Sequence, residues 1–153
     1  MLLPTNHGLS ASELSTLQTF YRAFNDNRPD LLDEVVTPDW DDIPLAPGQA
    51  PGPEGIKPII AGFREVFPDL RIVLEDVVGS GGFLAVRGRI TGTQHGEFFG
   101  IPATRKPIAI AIHEFHQLDN GRIRRTWHLE DWFAMLQQLG AWPPARPLHP
   151  ESA

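Results

Sequence analysis

Apolar positions along this chain recur with two periods, and the period changes near residue 70 and again near residue 131. Before the first change the spacing is helical. Leu14, Leu17, Tyr21 and Phe24 follow a Ser10–Glu13 capping-box pair, which predicts a helix over about 12–25. Asn27-Arg28-Pro29-Asp30 breaks it. Leu31, Leu32, Val35 and Val36 predict a second, short helix over 29–36, stopped at Thr37-Pro38. Residues 44–53 hold four prolines and two glycines and predict an irregular loop. Pro53 suits the first turn of a third helix over 54–66, with Ile56, Ile59, Ile60 and Phe63 on its apolar side. Between the changes the period is two: 70–78, 83–93 and a hairpin from Ile108 onward read as strands. Helical spacing returns at Trp132, Met135, Leu136 and Leu139, with Gly140 as the stop. Helices first and strands afterwards is an α+β plan. It predicts a curved antiparallel sheet of four to six strands with three N-terminal helices over its open face, a cone whose hollow is the natural ligand site. One domain is expected across 1–153, with a core of about 10–140 and loose tails at 1–9 and 143–153.

The hairpin concentrates the chemistry. His113, His116, Trp127, His128, Glu130 and Asp131 fall within it or at its end. Asp119-Asn120-Gly121 supports two turns, a two-residue type I′ turn on Asn-Gly or a three-residue loop closed by Gly121. The three-residue loop is preferred because it separates the faces. It pairs His113 with Trp127 and Ala111 with Leu129. Ala109, Ala111, His113, Phe115, Trp127, Leu129 and Asp131 then line the hollow, small residues on one strand facing large ones on the other. Ile108, Ile110, Ile112, Glu114, His116, His128 and Glu130 face away. The two-residue turn would put His128 opposite His113 instead, so His128 stays as a second choice.

Composition removes several classes of function. A net charge of −6 and no basic run argue against nucleic acid. With no cysteine, thiolate metal sites and cysteine nucleophiles are excluded, and a reducing cytoplasm is the expected location. No apolar run approaches the roughly 20 residues of a membrane span. His113 and His116 point to opposite faces of a strand, which suits zinc poorly, and no phosphate-binding glycine loop is present. Neither a metal nor a cofactor is expected.

Several motifs together resemble the SnoaL-like polyketide cyclases of the nuclear-transport-factor-2-like, ketosteroid-isomerase-like superfamily. They are Phe67-Pro68-Asp69, the run Gly92 to Thr104, Asn120-Gly121-Arg122-Ile123, Trp127 with Asp131 four residues on, and Leu136-Gln137-Gln138-Leu139-Gly140. The resemblance spans about Leu14 to Gly140. It implies a cone-shaped α+β domain, often dimeric, with a cofactor-free acid-base site. Asp131 matches the aspartate that removes a carbon-bound proton before an intramolecular aldol closure, and His113 is the matching histidine on the preceding strand. The chain departs from the family where Gln94 and His95 stand in the Gly-Thr-x-x-Gly-Glu segment, where Thr104-Arg105-Lys106 replaces Thr-Gly-Lys, and where Trp40-Asp41-Asp42-Ile43-Pro44 lacks a histidine.

The expected activity is therefore a cyclase or isomerase acting on a hydrophobic ketone or polyketide-like ester, with Asp131 as general base and His113 assisting. Trp127, Leu129, Phe115, Trp40, Phe63 and His95 are the expected substrate contacts. Asp131 is also well placed to cap the last helix, a reading that needs no chemistry. Two other readings use the same cone: a non-catalytic module for a small apolar ligand, and an epoxide-hydrolase or dehydratase-type lyase, for which Asp42 or Glu97 would supply a second carboxylate. Ile108, Ile110 and Ile112, turned outward in the preferred register, predict a two-fold homodimer.

Overall fold

In the computed structural model, which describes residues 5–142, six strands and four helices form one curved, unclosed sheet wrapped around a helical layer. Helix α1 spans Ala11–Asn25. The Ser10 side chain accepts from the Glu13 amide, and the Glu13 carboxylate accepts from the Ser10 amide, so the capping box forms as its spacing predicts. Pro29–Leu31 makes a single 3₁₀ turn that runs into a short helix α2, Leu32–Val35. Helix α3 spans Pro53–Val66 and buries Ile56 and Ile60. Helix α4 spans Trp132–Leu139 and ends on Gly140 in the left-handed conformation.

The strands are β1 (Thr5–His7), β2 (Val36–Ile43), β3 (Arg71–Ser80), β4 (Phe83–Thr93), β5 (Pro107–Asp119) and β6 (Arg122–Glu130). Their order across the sheet is β1-β3-β4-β5-β6-β2. The four central strands are antiparallel, as expected. Both edge strands pair parallel to their neighbours, β1 to β3 and β2 to β6. Two expectations change here. Residues 5–7 belong to the sheet rather than to a loose tail. The stretch around Trp40, which reads from sequence as strand or loop, is the last part of an edge strand. The tail at 143–153 lies outside the described residues.

The β5–β6 hairpin differs from its preferred reading in an instructive way. Asp119 pairs with Arg122 across a two-residue Asn120-Gly121 turn, both residues at positive φ. A bulge then adds Arg124 to β6, so that Gln117 pairs with Arg125, Phe115 with Trp127 and His113 with Leu129. The turn shifts the register by one and the bulge by one more, so the two sets of side chains stay grouped as expected. Their assignment is reversed. Ile108, Ile110 and Ile112 are 3%, 1% and 2% exposed and form the inner face. Phe115 and Leu129 are 56% and 73% exposed and lie on the outer face. Burying three isoleucines is worth roughly 1.5–3 kcal/mol each, far more than a face of small residues offers. The isoleucine face is therefore core, not a dimer surface.

One contact ties α3 to the proline-rich loop before it. A Cβ on Gly55 would sit 1.6 Å from the Ala50 carbonyl oxygen, so only glycine lets the loop lie on the first turn of the helix. Gly55→Ala should force that loop away and cost roughly 1–3 kcal/mol. The check is urea unfolding: a lower midpoint at unchanged slope is expected. An unchanged midpoint would mean that the close approach is absent.

Candidate active site

The alternation that buries the isoleucines of β5 carries two more residues inward, Glu114 and His116, which are 7% and 0% exposed. On β6 the same face presents Thr126, His128 and Glu130. Strand β2, running parallel beside β6, pairs Asp42 with Thr126 and so adds a third carboxylate from the sheet edge. Asp42, Glu114, Thr126, His128 and Glu130 sit against a cavity of about 630 Å³ whose wall is otherwise mostly apolar, with Tyr21, Gln49 and Glu65 as its other polar residues. Phe20 and Phe24 of α1 line it, with Trp40 of β2 and Ile56, Ile59 and Phe63 of α3.

Buried polar groups must find partners, and here they find one another. The Trp40 indole N–H donates to Thr126 Oγ1 at 3.0 Å. Thr126 Oγ1 lies 3.0 Å from His116 Nδ1. His116 Nε2 lies 3.1 Å from the Tyr21 hydroxyl, which in turn donates to Glu114 Oε2. The donor count gives one end of this chain a direction: indole nitrogen only donates, so Thr126 accepts from it. His116 Nε2 also lies 3.4 Å from Glu114 Oε2. Burial, and then the charge of Glu114, hold the Tyr21 hydroxyl well above its ordinary pKa, so it stays a donor. The chain ends on the Glu114 carboxylate at the cavity wall.

His128 is built differently. Nδ1 lies 2.8 Å from Glu130 Oε1, and Nε2 lies 2.9 Å from the Pro44 carbonyl oxygen and 3.5 Å from Asp42 Oδ1. Both ring nitrogens face acceptors only, which is the environment of an imidazolium. Burial alone would lower its pKa. The hydrogen bond and charge of Glu130, with the charges of Asp42 and Glu114, outweigh that and push it up to about 9. Asp42 shifts upward from the ordinary carboxylate value. Burial raises it, while donation from Gln49 Nε2 at 2.8 Å and the charge of His128 offset part of the rise. Gln49 is itself held by the Ala46 amide on the loop that Gly55 supports.

Glu114, His128 and Glu130 offer three ligand-type atoms within 4.8 Å of one another. In this arrangement His128 Nδ1 is taken by Glu130 and Nε2 by the Pro44 carbonyl.

The expected site residues divide between the two faces of the sheet. His128, Trp40 and Phe63 line the cavity. Asp131 and His113 do not, and the reason is the reversed face assignment: both are exposed. Asp131 caps α4, its Oδ1 accepting from the Ala134 amide at 2.9 Å. His113 lies in a shallow outer groove with Arg87 and Arg89. Phe115 and Leu129 face outward. Trp127 is half-buried on the same outer face, with the Arg125 guanidinium 5.5 Å above its ring. His95 is exposed beside Arg105 on the excursion between β4 and β5. Its neighbour Gln94 is fully buried and ties that excursion down, accepting from Thr104 and donating to the carbonyls of Gly96 and Ile101. The residues not expected in the site are Tyr21, Glu114, Glu130, Gln49 and, as a main candidate, Asp42. A signal did exist. Glu114, His116, His128 and Glu130 share strand parity with Ile108, Ile110 and Ile112, so burial of the isoleucines carries the others inside.

Known proteins agree with this architecture. Residues 15–139 match the family described as SnoaL-like polyketide cyclase. IdmH of Streptomyces antibioticus, described as a candidate polyketide cyclase, is 31% identical, with 84% of this chain and 98% of that chain aligned at a TM-score of 0.74. TsrD of Streptomyces laurentii is 25% identical over 88% of this chain and 99% of its own, with a TM-score of 0.79. A candidate polyketide cyclase of Bacillus cereus is 26% identical over 90% and 93%, with a TM-score of 0.77. No curated protein matches the chain.

The arrangement makes His128 a group that gains proton affinity on folding. Its contribution to stability is fully present below its unfolded value near 6.5 and is lost as pH rises through about 9. Imidazole NMR titration should place the His128 midpoint near 9. Unfolding free energy should fall between those two pH values in the wild type, and His128→Gln should remove that part of the fall. A midpoint at 6.5 would contradict the ion-paired geometry.

Proposed function

Because the chain belongs to the SnoaL-like polyketide cyclase family, we propose that it is a cofactor-free cyclase or isomerase that removes a carbon-bound proton from a hydrophobic carbonyl compound inside this cavity. The observation that carries the reading is a charged His128 among carboxylates at the wall of an otherwise apolar hollow. Asp42 is the base. Gln49 holds one of its oxygens, and the other lies beside the His128 ring. Burial raises its pKa, so once ionised it accepts a proton more readily than a carboxylate in water. Asp42 takes the α-proton, and the electron pair moves to the carbonyl oxygen as an enolate. The nearby His128 cation stabilises that charge. In a cyclase the enolate carbon then attacks a second carbonyl of the same molecule, and the new alkoxide takes back a proton. Glu130 keeps His128 charged. Asp131 caps a helix in this reading and takes no part. Among the described residues no arginine lines the cavity.

Deuterium exchange at the acidic carbon of 2-tetralone, followed by mass spectrometry in D₂O, tests this. The wild type should catalyse exchange. Asp42→Asn should slow it by on the order of a hundredfold or more, and His128→Gln should also slow it markedly. Asp131→Asn should exchange at the wild-type rate and lose little stability, since asparagine is as good a cap as aspartate. Full exchange in Asp42→Asn with loss in Asp131→Asn would return the base to Asp131.

We also propose a two-fold homodimer, moved to the outer face of the sheet. Phe83, Phe115 and Leu129 are exposed there at 47%, 56% and 73%. Phe115 pairs with Trp127 and lies diagonally across from Leu129, which pairs with His113, all on the outer face of β5 and β6. Light scattering at micromolar concentration should give twice the 17.0 kDa chain mass. Phe115→Glu combined with Leu129→Glu should return the monomer. A monomer in the wild type would end the proposal.

A further inference from the structure

We propose that the ligand of this cavity carries a positively charged nitrogen on an aromatic or apolar body. The inference rests on the cavity being the working site, not on Asp42 being the base.

The charge of the lining is lopsided. Among the described residues, Asp42, Glu65, Glu114 and Glu130 line the hollow, Glu65 at an exposed position, with neither lysine nor arginine in the lining. His128 is the cation that this lining sets against them. The Tyr21 hydroxyl donates a hydrogen bond to Glu114. An anionic ligand would enter a region that already holds excess negative charge at low dielectric, where like charges repel strongly. A cationic ligand would relieve that excess.

The walls point the same way. Phe63, Phe98, Phe99 and Trp132 form one aromatic group along the cavity. Trp132 lies 6.2 Å from Phe63, 5.7 Å from Phe98 and 5.7 Å from Phe99, centroid to centroid. Glu130 and this aromatic group line the same cavity. Aromatic faces beside carboxylates favour a nitrogen cation over a neutral or anionic group.

The proposed reaction agrees with this. Transfer of the α-proton to Asp42 moves one negative charge from that carboxylate to the enolate and leaves the total unchanged. A cationic nitrogen on the substrate would make the enolate net neutral beside Glu114 and Glu130.

Three size-matched probes separate the possibilities: 2-naphthylmethylamine, protonated at pH 7.5, 2-naphthylmethanol and 2-naphthoate, each titrated calorimetrically into the wild-type chain. The amine should bind at least about tenfold more tightly than the alcohol, and the carboxylate more weakly than either. Glu130→Gln should reduce the amine's advantage over the alcohol several-fold. An amine that binds no better than the alcohol, or gives no detectable heat at millimolar concentration, overturns the proposal, as does a carboxylate that binds most tightly. Should Glu130→Gln fail to fold, the three wild-type titrations decide the question alone. These titrations require no turnover, so their failure is distinct from failure of the tetralone exchange.

Discussion

The pleat of β5 is the constraint on which the rest of this molecule depends. A strand alternates its faces without exception, so Ile108, Ile110, Ile112, Glu114 and His116 must all point the same way. The isoleucines make the strongest apolar stretch of the sheet and go inside. The carboxylate and the imidazole go with them. An uncompensated buried carboxylate would cost several kcal/mol, so the surrounding elements supply its partners. Helix α1 brings Tyr21 to Glu114, β6 brings Thr126 to His116, and β2 brings Trp40 to Thr126. The polar end of the cavity follows from burying the apolar end.

That dependence explains the shape of the edge strands. β2 pairs parallel to β6, which no local signal requires, and the pairing sets Asp42 beside Thr126 and within reach of His128. The proline-rich loop after β2 then folds back so that Pro44 accepts from His128 and Gln49 donates to Asp42. A loop that reads as irregular filler thus holds two of the charged groups. Its own position depends on Gly55, where any side chain would collide with Ala50.

Two hydrogen-bond systems meet at the cavity, and they differ in kind. The chain from Trp40 runs through Thr126, His116 and Tyr21 to the Glu114 carboxylate. The group around His128 places a cation among carboxylates. Bonds to charged groups are the stronger ones, and a low dielectric enlarges both the gain from pairing and the cost of losing a partner. The chemistry open to the site is that of proton transfer to a carboxylate with a fixed cation nearby. Family membership makes a cyclase or isomerase the natural setting for it.

The sequence by itself determined the types of the main helices and the four central strands, the capping box at Ser10, the glycine stop at Gly140 and the family, but not the two edge strands. Each rests on local spacing or on a local motif, and local spacing survives folding. It also grouped the hairpin side chains correctly, because a two-residue turn and a one-residue bulge preserve strand parity together. Only the tertiary structure decided which group faces the hollow. Small residues opposite large ones suggested a cavity lining, but the isoleucine stripe had the larger burial energy, and helices α1 and α3 pack on that side. Asp131 therefore caps a helix in solvent, while Glu130, one residue earlier, faces the cavity. Asp42 and Tyr21 were not legible as site residues, because what brings them to His128, Glu114 and His116 is pairing and packing between segments 86 to 95 residues apart in the chain, and no local pattern encodes contacts at that separation; Gln49 enters the site through Asp42.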